Sequence, residues 1–201
     1  MKLRADTFAA MFQRMDRLDR PVVIVETGCT RTPGNWGGDG NSTVLFDRYA
    51  QTHPGSRVFT VDIDARATAA CRALVSEHVS IHTGDSVKYL QSLAAGSPGQ
   101  LDLLYLDSFD LDHGNPVPSA VHHLMELAAI APALRPDTMV VVDDAFMTLH
   151  GVHAAAGQFV AIRPPTIDGK ARFVAEYAAR IEAELIFSGY QCGWIKMKPQ
   201  H

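Results

Sequence analysis

Residues 21–43 read PVVIVETGCTRTPGNWGGDGNST, and their pattern decides the fold. Residues 22–25 are an uninterrupted, mostly β-branched apolar run, as in a strand buried on both faces of a parallel sheet. The run ends at Glu26 and Gly28, and the chain enters a loop holding Gly34, Gly37, Gly38 and Gly40. Asn41, Ser42 and Thr43 are N-cap residue types ahead of a helix over VLFDRYAQ. Strand, glycine-rich turn and helix N-terminus together hold nucleotide-like ligands in α/β proteins, because glycine lets backbone amides approach closely. A carboxylate at the strand tip would repel the phosphates of a dinucleotide but suits a cationic or hydroxyl-bearing ligand. An ordinary strand-to-helix turn with a solvated Glu26 leaves the same trace, so the remainder of the chain must decide.

Outward from this stretch, strands and helices alternate. Strands are expected over residues 57–63 (RVFTVDI), 79–83, 101–106 (LDLLYL) and 138–142 (TMVVV), with helices over 65–78, 87–94 and 119–134 between them. Residues 170–184 read as a further helix and 185–198 as a hairpin turning near Gly189. The expected fold is α/β: a doubly wound, mainly parallel Rossmann-like sheet of about seven strands, with a C-terminal antiparallel hairpin at its edge. Ahead of it, residues 6–18 form an amphipathic helix with Phe8, Met11, Phe12, Met15 and Leu18 on one side, suited to bracing the sheet or covering a site. Residues 145–168 carry no clear pattern apart from the Pro164–Pro165 break. The whole chain, 1–201, is read as one domain, its N-terminal helix within 1–20 and its Rossmann-like core over 21–201.

Composition limits the function classes. A formal net charge of −4 leaves no basic footprint for nucleic acid, and no apolar run approaches the length needed to cross a bilayer. Cys29, Cys71 and Cys192 are odd in number and far apart, which suggests reduced thiols in a cytoplasmic protein. The expected partner is a small-molecule acceptor, with neither nucleic acid nor membrane, and a homodimer is allowed.

The carboxylates fall into one pattern. Glu26, Asp62, Asp107 and the pair Asp143–Asp144 each follow an apolar strand, and Asp85 follows another after one glycine. In an open parallel sheet these strand ends share one edge, where ligands bind. A single strand-end Asp is commonly a cap or turn residue; acids at every parallel strand end imply hydroxyl donors or cations among the ligands.

In this order the motifs resemble those of the class I S-adenosylmethionine-dependent methyltransferases, over roughly residues 22–144. VETG with the later GNST resembles the first motif, which surrounds the methionine end of the cofactor and implicates Glu26, Thr27, Gly28, Gly40 and Ser42. VDID resembles the second-strand motif, placing Asp62 on the ribose hydroxyls with Ile63 beside it. GDS resembles the adenine-contacting motif and implicates Asp85 and Ser86; LLYLDSF resembles the fourth-strand motif, with Asp107 next to the cofactor. The loop between Gly28 and Gly40 is longer than the family's turn, and its Arg31 and Trp36 suit a gate over the cofactor.

Asp107 with Asp143 and Asp144 also resembles the metal site of catechol-type O-methyltransferases. That resemblance implies Mg²⁺ or another divalent cation on these three acids, a set of oxygen ligands suited to such ions. The family's catalytic Lys, three residues beyond the first ligand, is replaced here by Asp110. His113 or His150 is then the candidate base, with Asp107 as the third catalytic candidate. The implied activity is methyl transfer from S-adenosylmethionine to a small-molecule hydroxyl. Two alternatives stay open: an NAD(P)-dependent oxidoreductase, from Gly38-Asp39-Gly40 and the spacing to Asp62, and a non-catalytic nucleoside-ligand-binding protein on the same fold.

Overall fold

The computed structural model describes residues 2–37, 41–96, 101–154 and 158–198. β1 (Val23–Thr27) lies at the centre of a seven-stranded sheet, with β2 (Arg57–Asp62) on one side and β4 (Leu103–Leu106) on the other. β3 (Val79–Thr83) extends the sheet beyond β2, and β5 (Met139–Val142) lies beyond β4. These five strands are parallel. Every residue of β4 and β5 is buried, as expected for strands covered on both faces. β8 (Glu184–Phe187) and β9 (Cys192–Ile195) complete the order β3-β2-β1-β4-β5-β9-β8, with β9 antiparallel to β5. The hairpin thus enters the sheet with its second strand innermost.

Helices cover both faces: α2 (Ser42–Thr52), α3 (Ala65–Arg72), α4 (Ser86–Ala95), α5 (Val117–Ile130) and α6 (Arg172–Arg180). α3 stops at Arg72, well short of the expected residue 78, and no capping glycine follows it. α5 runs on into a 3-10 turn, Ala131–Ala133, at the Pro132 that removes a backbone donor. Two apolar clusters fill the faces. One packs Leu104, Leu106, Leu127, Ile130, Val140 and Trp194; the other packs Phe46, Val58, Leu103, Tyr105 and Val141.

α1 (Lys2–Asp16) belongs to the second cluster through Phe8, Met11 and Met15, with Phe12 and Leu18 partly buried beside them. The helix begins earlier than its apolar stripe, and that extra turn carries Arg4 into the structure.

The stretch without a readable pattern is a long antiparallel ribbon, β6 (Ala145–His153) with β7 (Phe159–Gly169). Its alternation is blurred because much of it is exposed, including Leu149, Val152 and Ile162, and because the register slips on either side of His150. At its base Gly169 has φ +72°, and a Cβ there would stand 2.4 Å from the Asp144 carbonyl oxygen. Only glycine allows that approach, and it turns the chain back to the sheet edge at Lys170.

Candidate functional site

Two cavities adjoin along the C-terminal edge of the parallel strands. One, of about 200 Å³, is lined by Gly28, Cys29, Ser42, Asp62 and Asp107, and beyond them by Arg4, Asp144 and Lys170. The other, of about 230 Å³, is lined by Val61, Asp85, Ser86, Phe109 and His122. Asp62, Ile63 and Ser108 border both.

At the β1 end, Gly28 lies at φ +79°, donates to the Val61 carbonyl at 2.8 Å, and would bring a Cβ to 2.5 Å from the Asp107 carbonyl oxygen. A side chain would push the ends of β1 and β4 apart, so this glycine keeps the groove floor closed. Glu26 does not face the groove: it is fully buried and accepts from Ser42 at 2.5 Å, Thr43 at 2.7 Å and Thr60 at 2.8 Å. Burial raises its pKa to about 7, against the pull of those three hydroxyls. Glu26 therefore ties β1 to α2 and β2, and its reading as a cofactor ligand is corrected. Thr27 is also fully buried, donating to Glu126 at 3.1 Å, and lines neither cavity. Its reading is corrected on the same ground. Ser42 does line the groove beside Cys29. Gly40 lies outside the described residues.

At the β2 and β3 ends, Asp62 accepts from the backbone amides of Asp64 at 2.8 Å and Cys29 at 3.2 Å. With the Cys29 thiol donating to the second oxygen at 3.7 Å, these bonds fix the carboxylate, which borders both cavities. Ile63 is 77% exposed at the boundary between them. Asp85 caps α4, accepting from the Lys88 amide at 2.9 Å, and Ser86 meets the His122 Nε2 at 3.1 Å. Behind them sits Glu126, fully buried, accepting from Ser108 at 2.6 Å with His122 Nε2 at 3.3 Å. Burial alone would raise the Glu126 pKa; His122, His123 and Ser108 hold it below the usual range. His122 titrates above its ordinary value because of Glu126.

At the β4 and β5 ends, the acids already have protein cations. Lys170 is 1% exposed, and its Nζ lies 2.5 Å from Asp107 and 2.9 Å from Asp144. Asp144 has φ 48°, so the chain has already turned there; Asp143 and Asp144 are not disposed as successive residues of a flat strand. Asp143 points the other way, 1% exposed, accepting from Arg4 and from Tyr105 at 2.9 Å. Arg4 also reaches Asp144 at 3.3 Å. Gln191 donates to Tyr105 at 2.5 Å and bonds Thr7, which carries the network back into α1.

Burial raises the Asp107 pKa well above the carboxylate range, Lys170 opposing and Asp143 and Asp144 adding to it. Burial would also raise Asp144, but Lys170, Tyr190 and Arg4 hold it low. The Lys170 pKa is raised, the two carboxylates outweighing its burial, so it stays an ammonium.

This arrangement does not fit a divalent ion on Asp107, Asp143 and Asp144. Asp143 is turned away, and an ammonium stands between the other two. Among the described residues no group of three or more His, Cys, Asp or Glu side chains is arranged to hold a metal. The ligand set implied by the catechol-type resemblance is corrected, because the charges it would neutralise are met by Lys170 and Arg4.

The histidines are corrected too. His113 is exposed, its ring 6.4 Å from Phe146, and His150 lies on the ribbon between Thr166 at 2.8 Å and Arg163 at 2.9 Å. Neither lines either of these two cavities. In the loop after β1, Arg31 lines the groove and pairs with Asp110 at 3.2 Å, while Trp36 lies 5.9 Å from Arg48 of α2 and lines neither cavity. Sequence reasoning missed Lys170, Arg4, His122 and Ser108. Lys170 carried no usable signal, because it follows a stretch without a readable period.

The same fold occurs in solved structures. The apo structure of CalS11, a TDP-rhamnose 3'-O-methyltransferase of calicheamicin biosynthesis, superposes with a TM-score of 0.51 at 16% identity, covering 96% of this chain and 81% of that one. Fibrillarin, a pre-rRNA processing protein of Methanococcus jannaschii, gives 0.50 at 13% identity, covering 89% and 68%. At such identities the likeness is one of fold. No curated protein matches the chain by sequence. Strand order, groove and motifs define a class I S-adenosylmethionine-dependent methyltransferase. The chain belongs to the family described as a methyltransferase domain, which it matches over residues 36–145, just over half its length.

Proposed function

We propose that the protein transfers the methyl group of S-adenosylmethionine to a hydroxyl oxygen of a small-molecule acceptor. The observation that carries this is the buried Lys170 ammonium, 2.5 Å from Asp107 and 2.9 Å from Asp144, at the far end of a groove that begins at Asp62. The donor set fits the cofactor. Asp62 accepts from both ribose hydroxyls; Ile63 and Phe109 cover an adenine whose edge meets Asp85 and Ser86; Gly28, Cys29 and Ser42 border the methionine end.

S-adenosylmethionine supplies an electrophilic methyl group. Asp107, paired with Lys170 at 2.5 Å, accepts the proton of the acceptor hydroxyl. Lys170 donates to that oxygen as charge develops on it. The C–O bond forms as the C–S bond breaks, and S-adenosylhomocysteine leaves. Lys170 thus does what the resemblance assigned to a divalent cation, and turnover is expected to survive EDTA.

Calorimetric titration with S-adenosylhomocysteine and with NADH tests the reading. Binding of the former that Asp62→Ala weakens and Lys170→Met leaves within about twofold supports it. Tighter binding of NADH overturns it.

A further inference from the structure

The two cavities have different walls. The one beside Asp85 has Val61, Ile63, Phe109 and His122, enough apolar and aromatic surface for a flat base. Beyond Asp62 the other is walled by Arg4, Lys170, Asp107, Ser108, Asp110 and Asp144, and no aromatic ring among the described residues lines it. An aryl acceptor there would bury its ring against charges, removing their water and giving hydrogen bonds only at its hydroxyls. An aliphatic acceptor with several hydroxyls replaces that water group by group.

Two carboxylates flank one ammonium, the Asp107 oxygen at 2.5 Å and the Asp144 oxygen at 2.9 Å from the same Nζ. Two oxygens bound to one Nζ are close neighbours, within reach of hydroxyls on adjacent carbons. Each donates to one carboxylate, and the third N–H of Lys170, beyond the two that bond Asp107 and Asp144, donates to the hydroxyl on Asp107.

We infer that the acceptor is an aliphatic vicinal diol of carbohydrate type, methylated on the hydroxyl that donates to Asp107, with its neighbour held by Asp144. The inference rests on the methyl-transfer reading above. In the step, the diol oxygen takes the methyl group, its proton passes to Asp107, and neutral S-adenosylhomocysteine departs. The second hydroxyl is unchanged and serves to position the first.

The test uses the full chain with S-adenosylmethionine and three acceptors: methyl α-mannopyranoside, its 3-deoxy analogue, in which no two remaining hydroxyls lie on adjacent carbons, and catechol. S-adenosylhomocysteine release is followed alongside calorimetric binding of that product. The mannoside is expected to outrun both others by at least about tenfold, since a site built for a hydroxyl rejects its absence strongly. Asp144→Asn should raise KM for the mannoside at least about tenfold, leaving S-adenosylhomocysteine affinity within about twofold. Faster turnover of catechol or of the 3-deoxy sugar overturns the inference, as does a protein that binds S-adenosylhomocysteine yet leaves the mannoside unmethylated. Failure to bind S-adenosylhomocysteine at all overturns the methyl-transfer reading instead.

Discussion

Glu26, the penultimate residue of β1, and Asp144, just beyond β5, are both acids near one sheet edge, and the protein stabilises them in opposite ways. Glu26 has only hydroxyl partners, no cation, and a pKa raised to about 7 by burial. Asp144 shares Lys170 with Asp107, receives Arg4, and is held below the ordinary carboxylate value despite its burial. The first region is built from neighbours along two adjacent strands and a helix cap. The second needs a lysine from the end of a ribbon and an arginine from the first helix turn. A strand-end carboxylate is therefore no single signal: its partners decide whether it holds structure or prepares chemistry.

The contrast breaks most sharply at Lys170. Lys170→Met leaves Asp107 and Asp144 without their buried cation and is expected to cost about 3–5 kcal/mol of stability, measured by denaturant unfolding. Adding Asp107→Asn should recover part of that loss. A single variant as stable as the native chain would place the ammonium outside the ion pair.

Glu26→Gln probes the other side through pH. The folded protein keeps a proton on Glu26 that the unfolded chain releases between about pH 4.5 and about 7. This group's contribution is therefore full below that window and falls by about 3 kcal/mol as pH rises through it. Gln keeps a partner for the three hydroxyls and cannot ionise, so stability measured across that window should lose this downward slope. An unchanged slope would mean that Glu26 ionises freely.

Asp62→Ala sharpens the comparison between structural and ligand-facing acids. Its carboxylate lines both cavities, and losing it should weaken S-adenosylhomocysteine binding by about 2 kcal/mol, about thirtyfold, in a calorimetric titration. The same change at a merely structural acid would lower the melting temperature and leave affinity alone.

The smallest effect is expected at Arg31→Ala. Its pair with Asp110 is 47% and 75% exposed, so stability should change by under about 1 kcal/mol, with the difference shrinking in high salt. A larger, salt-insensitive loss would show that the pair is shielded from solvent.

How much was legible follows the same division. The parallel strands declared themselves through short apolar runs, and the groove they form is bordered by Asp62 and Asp85 near the ends of two of them. Glu26 was visible but misassigned, because a strand-end acid reads the same whether it faces a groove or the hydroxyls of Ser42, Thr43 and Thr60. The cations could not be paired from sequence: Lys170 lies 63 residues from Asp107, and Arg4 lies 139 from Asp143. The ribbon that delivers Lys170 was lost because its exposed faces and slipped register erase the two-residue period.

The Arg4–Asp143 contact, spanning nearly the whole chain, also bears on how the molecule folds. Closing so long a loop is entropically unfavourable until most of the sheet exists, whereas β1, β2 and β3 join over short crossovers. The cofactor side is thus expected to acquire hydrogen-exchange protection first in a pulse-labelled refolding experiment, with α1 docking last. The protein would then hold its methyl donor before it has a place for anything to methylate.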